Sequence, residues 1–144
     1  MFYTVRYAHL YNLPNVKTGD IIRSGDKVGV MGNTGKSTAT HLHIDCVEGV
    51  VPNVWRLRDM ENNDIVADPK QLNYFIDDNL LKAPIAITSY YCDPFYGKIH
   101  KAYDLVAKDR AHFIIYWNRS MTGKVLSKGQ DNGYGYFIHI TYEA

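Results

Sequence analysis

Apolar and polar positions alternate with a period of two along residues 2–10, which predicts a strand with Tyr3, Val5, Tyr7 and His9 on one face. The same alternation runs through residues 41–47. It recurs through residues 136–142, where Tyr136, Ile138, Ile140 and Tyr142 share a face. A short strand is predicted at Ile21 and Ile22, between the turns Thr18-Gly19-Asp20 and Ser24-Gly25-Asp26. Another is predicted over residues 28–31, and one or two more within 105–117. Residues 51–84 break this rhythm. They are polar and carry Pro52, Pro69, Pro84, Asn62-Asn63 and Asp77-Asp78, with a short helix predicted within 71–81. The stretch reads as a connector between two β-rich halves, and no internal repeat is evident. The fold class expected is all-β.

With 144 residues, of which 46% are apolar, the chain suits one domain with its own core. Twelve tyrosines and many β-branched residues strengthen the β reading. A net charge of +1, without a basic stripe, gives no electrostatic case for nucleic acid or an anionic membrane. No apolar run approaches the ~20 residues of a membrane span. The opening residues lack the basic start, apolar middle and cleavage site of a signal peptide, and are expected to lie within a strand. Two cysteines, Cys46 and Cys92, are too few for a disulfide framework and read as reduced thiols.

Candidate chemistry gathers on histidines. His41 and His43, two apart on a strand, point to the same face, one able to bind a metal and the other to reach its water. Asp45 shares that face, either to orient a ligand histidine or as an exposed carboxylate. His100 and Asp104 are four apart and converge on a helix, or in a loop entering a strand. His9 ends its strand, where a packed or solvated histidine is the plainer reading. His112 and His139 have no supporting context. Gly32-Asn33-Thr34-Gly35-Lys36-Ser37 imitates a phosphate-binding loop, but position 30, where glycine is required, is Val30. Asn118-Arg119-Ser120 matches a glycosylation sequon that carries little weight without a secretory signal.

Taken together the fragments are more specific. Tyr7-Ala8-His9-Leu10, Val16-Lys17-Thr18-Gly19-Asp20, Gly32-Asn33-Thr34-Gly35 and His41-Leu42-His43-Ile44-Asp45 resemble the C-terminal half of lysostaphin/LytM-type zinc peptidases, which cut peptidoglycan peptides. Ala67-Asp68-Pro69 resembles that domain's ending. Ile87-Thr88-Ser89-Tyr90, Gly97-Lys98-Ile99-His100-Lys101-Ala102-Tyr103-Asp104 and Asn132-Gly133-Tyr134-Gly135-Tyr136 resemble its beginning. The halves stand in reversed order, as in a circular permutant cut at a hairpin tip. Residues 1–75 resemble the family's C-terminal half, 76–84 connect, and 85–144 resemble its N-terminal half, within a single peptidase domain 1–144.

The resemblance implies an antiparallel β-sheet domain of the duplicated-hybrid-motif type, circularly permuted. It implies Zn2+ on His100, Asp104 and His43, with a fourth position left for water. His41 would be the general base, and His9 would hold the water or stabilise the oxyanion. Asp45 stands where the family usually has Glu, and Tyr91-Cys92 where a Phe-Gly turn is usual. The expected partner is a peptidoglycan peptide, the expected place of action the cell wall, and the expected state a monomer or a domain-swapped dimer. The alternatives are a non-catalytic peptidoglycan-binding module or a phage tail component of the same fold; phage origin would suit delivery from a virion or at lysis.

Overall fold

The computed structural model describes residues 1–95, 98–108 and 112–144. Its strands are β1 Phe2–Leu10, β2 Ile21–Ile22, β3 Lys27–Val30, β4 Leu42–Glu48, β5 Ile85–Ser89, β6 Pro94–Phe95, β7 Lys98–Ile99, β8 Tyr103–Ala107, β9 Ile114–Tyr116, β10 Gly123–Asp131 and β11 Gly135–Glu143. Two short helices, α1 Leu57–Glu61 and α2 Pro69–Asn73, lie between β4 and β5. Every strand pairing among the described residues is antiparallel. Seven strands form one sheet in the order β2-β10-β11-β1-β4-β8-β5, while β3 pairs β9 and β6 pairs β7. The fold is all-β, as the alternation predicts.

Both long sheet faces are used. Val5, Tyr7 and Leu10 of β1, Leu42, Ile44 and Cys46 of β4, and Ile138, Ile140 and Tyr142 of β11 enter the apolar core. Burying a side chain of this size is worth about 1.5–3 kcal/mol, so this face holds the sheet in its register. The opposite face carries Thr4, Arg6, His43, Asp45, His139 and Thr141, all buried polar residues. Residues 49–55 close over part of it: the Pro52 carbonyl accepts from Ser127 Oγ at 2.7 Å and lies 3.1 Å from His139 Nδ1.

The predicted connector is packed rather than loose. Leu72, Phe75, Leu80 and Leu81 are buried in the core, and Trp55 is buried against the polar face. The single helix predicted within 71–81 is corrected to α2 followed by a 3-10 turn at Asp78–Leu80. Two caps impose the break. Asp68 accepts from Gln71 N at 2.9 Å and starts α2 at Pro69, and Asp77 accepts from Asn79 N at 2.9 Å and starts a second turn. Residues 105–117 hold two strands, β8 and β9; positions 109–111 within that range, and Gly97 of the Gly-Lys-Ile-His run, lie outside the described residues. Strands β5 and β10 and helix α1 had no counterpart in the alternation. No helix among the described residues is long and apolar enough to cross a membrane. Cys46 is buried, Cys92 is exposed, and both are free.

Candidate metal centre

The two halves of the chain interleave in the large sheet, and the site lies at one of their seams. β4 of the first half pairs with β8 of the second, with His43 opposite Asp104. Opposite residues of an antiparallel pair share a face, so register alone brings these two side chains together. His43 Nδ1 is 3.3 Å from Asp104 Oδ1. His100 precedes β8 and is held by the residues just before β6: its N–H donates to the Asp93 carbonyl at 2.8 Å, and its carbonyl accepts from Cys92 N at 2.6 Å. Cys92 sits at φ +69°, the left-handed region that glycine enters freely, at the position where the resembling family has its Phe-Gly turn. From there His100 Nε2 reaches within 3.7 Å of Asp104 Oδ2.

His43, His100 and Asp104 each offer one ligand atom, and these atoms all lie within 4.8 Å of one another. Two imidazoles and a carboxylate are a donor set suited to a divalent transition metal with open positions. The ring partners turn one nitrogen of each imidazole toward Asp104. Asp45 Oδ2 lies 2.8 Å from His43 Nε2, which leaves Nδ1 facing Asp104; Ser89 Oγ lies 3.0 Å from His100 Nδ1, which leaves Nε2 facing Asp104. Asp104 Oδ1 is buried with no hydrogen-bond partner among the described residues, a cost that a cation would relieve. The residues present therefore fit a metal ion.

The other two histidines stand beside this triad. His41 Nε2 is 3.9 Å from Asp104 Oδ1, while its Nδ1 lies 2.9 Å from the Ala39 carbonyl and 3.1 Å from Ser37 Oγ. The rings of His9 and His41 are 4.8 Å apart, and those of His9 and His43 6.0 Å. His9 reaches the site through a bulge. Strict alternation puts it on the core face with Val5 and Tyr7, yet the register slips between Tyr7 and Leu10. His9 takes φ +59°, its Nδ1 lies 2.6 Å from the Thr34 carbonyl, and its ring is turned onto the polar face. The expectation that His9 shares the face of Tyr3, Val5 and Tyr7 is thereby corrected.

Charge follows burial and partners. Burial pulls His43 down, but the carboxylates of Asp104 and Asp45 outweigh it and raise its pKa to about 9. Burial would raise Asp45, and the adjoining Arg6 guanidinium, with His43, holds it well below the usual carboxylate range. Burial lowers His9 to about 4, so it is neutral near pH 7. It lowers His100 as well. Burial raises Asp104, and His43 overcomes that effect and lowers it.

Residues 2–53 match the sequence pattern of Peptidase family M23. This stretch contains His9, His41, His43 and Asp45. Over 43 residues the chain is 46% identical to a protein from Buchnera aphidicola subsp. Baizongia pistaciae (strain Bp) described as an uncharacterized metalloprotease. That stretch is 30% of this chain and 11% of the relative, so the chain spans a small part of that protein's length. No solved structure matches the chain. His100 and Asp104 lie outside the matched stretch, and the pairing of β4 with β8 brings Asp104 to it.

Sequence reasoning missed several residues that serve the site. Arg6, Trp55, Ser89 and Tyr134 all touch its histidines or Asp45, directly or through one neighbour. The one available signal was Arg6, a lone charge within an otherwise uncharged strand.

Proposed function

We propose that this protein is a zinc-dependent endopeptidase that hydrolyses peptide bonds of bacterial peptidoglycan, in stem peptides or cross-bridges. The observation that carries the reading is the convergence of His43, from the stretch that matches Peptidase family M23, with His100 and Asp104 from the other half. The metalloprotease description of the Buchnera relative supports the reaction type. In this reading His43 Nδ1, His100 Nε2 and an Asp104 oxygen hold zinc. Zinc supplies a Lewis acid and brings the pKa of its water to about 7.

The chain's own groups then handle protons. His41, with Nδ1 turned to the Ala39 carbonyl, presents a free Nε2 to take a proton from the attacking water and pass it to the leaving amine. His9, neutral and held through Nδ1 by the Thr34 carbonyl, presents Nε2 from the bulge to orient the water or the developing oxyanion. In the same reading the halves are a permuted arrangement of the family's order. Support comes from β1 and β11, which pair along their length with Phe2 opposite Glu143. In this reading one chain supplies every site residue, and a monomer would suffice for activity.

The test is zinc content by elemental analysis together with release of soluble peptide from purified peptidoglycan. His43→Ala and Asp104→Ala are expected to lose zinc and activity. His41→Ala is expected to keep zinc and lose at least about a hundredfold in rate, the contribution typical of a general base. Normal digestion by the His41→Ala protein would overturn the role given to His41. A parent protein that digests peptidoglycan without zinc would overturn the metal role.

A further inference from the structure

Arg6 is 1% exposed, although it lies on the sheet face that carries the metal centre. A buried guanidinium is stable only where its charge is met. Its Nη2 donates to Asp45 Oδ2 at 2.6 Å, and its Nη1 donates to the Trp55 carbonyl at 3.0 Å. Its Cζ lies 4.2 Å from the centre of the Trp55 ring and 3.8 Å from that of Tyr134. Asp45 Oδ2 therefore faces two donors at once, Arg6 Nη2 and His43 Nε2.

We infer that Arg6 is a positioning residue for the metal centre, pinning Asp45 so that the carboxylate holds the Nε2–H of His43 and leaves Nδ1 as the ligand atom. The inference rests on the metal-centre reading and adds the device that chooses the nitrogen. An imidazole has two ring nitrogens, and the one that binds metal is set by the hydrogen bond the other makes. A carboxylate on a strand has rotamers that would turn it away from His43. Arg6 removes that freedom, because its own plane is fixed by two aromatic rings and a backbone carbonyl. Lysine at this position keeps the charge but has no plane to stack and no second nitrogen for the Trp55 carbonyl. The arrangement also ties residues 49–55, which close over the polar face, to the ligand geometry.

The experiment uses the full chain and measures zinc affinity by competition with a chromophoric chelator, alongside Tm in excess chelator. Arg6→Lys is expected to bind zinc about 10–100-fold more weakly, the usual cost of losing an outer-shell partner. Its metal-free Tm should stay within a few degrees of the parent, which a purely structural role for Arg6 would not allow. Parental affinity in Arg6→Lys overturns the inference while leaving the metal centre intact. A parent that binds no zinc overturns the metal-centre reading itself. If Arg6→Lys does not fold, Asp45→Asn takes its place: it keeps the volume and an oxygen acceptor but loses the charge that Arg6 anchors. A loss of tenfold or more supports the inference, and unchanged affinity overturns it. Long-range imidazole 15N spectra of the zinc-loaded parent give an independent reading. Protonated Nε2 and metal-bound Nδ1 on His43 support the inference, and the reverse assignment overturns it.

Discussion

Four imidazoles meet at this centre, and what distinguishes them is the partner each ring gives to its other nitrogen. His9 and His41 turn Nδ1 to backbone carbonyls, which no substitution of a neighbouring side chain removes. His100 turns Nδ1 to Ser89 Oγ, which one substitution does remove. Ser89→Ala is therefore expected to weaken zinc binding by roughly tenfold without unfolding the chain, as chelator competition would show. Parental affinity would mean that contacts other than Ser89 Oγ orient His100. His9, His41, His43, His100 and Asp104 were legible as candidates from spacing and from resemblance. Arg6 was not, because its significance depends on lying opposite Asp45, and that pairing is a matter of strand register.

Among the elements, the β1 bulge and the β10–β11 hairpin shape the site together. The turn is built by Asp131, whose Oδ2 accepts from Gly133 N and Tyr134 N, both at 2.9 Å. Gly135 follows at φ +66°, where a Cβ would overlap the Thr34 carbonyl that holds His9. Gly135→Ala is expected to cost roughly 2–4 kcal/mol, combining a left-handed backbone with a steric clash. Urea denaturation would report this as a lower midpoint, and a midpoint unchanged within error would contradict the close approach. Alternation predicted the long strands β1, β4 and β11 because each gathers its apolar residues on one face and polar ones on the other. It did not predict β10, which is half-buried along most of its length, nor the bulge, whose extra residue leaves no mark in a hydrophobic pattern. The helix predicted within 71–81 divides because Asp68 and Asp77 each cap a separate turn.

Across the whole molecule, His139 links folding to pH. It is fully buried, and burial together with the nearby Arg6 lowers its pKa to about 4. Its ordinary value is 6.5. The stability gained by keeping it neutral is complete above pH 6.5. It is lost as pH falls toward 4, because the unfolded chain takes up a proton that the folded chain refuses. Each such group gives a slope of about 1.4 kcal/mol per pH unit in that window. His139→Gln should show a shallower fall in stability between pH 6.5 and 4 than the parent, by denaturation at stepped pH. An identical slope would remove His139 from the account. By itself the sequence determined that the chain is a β protein, and which histidines and aspartates were available for metal chemistry. Side-chain period and residue type are local properties, so they can be read one segment at a time. Only the tertiary structure decided that β4 lies beside β8, which sets His43 against Asp104 from far along the chain. It also decided that β1 bulges to turn His9 inward and that Arg6 meets Asp45. Register and bulges arise from how whole faces bury against one another, and no single segment carries that information.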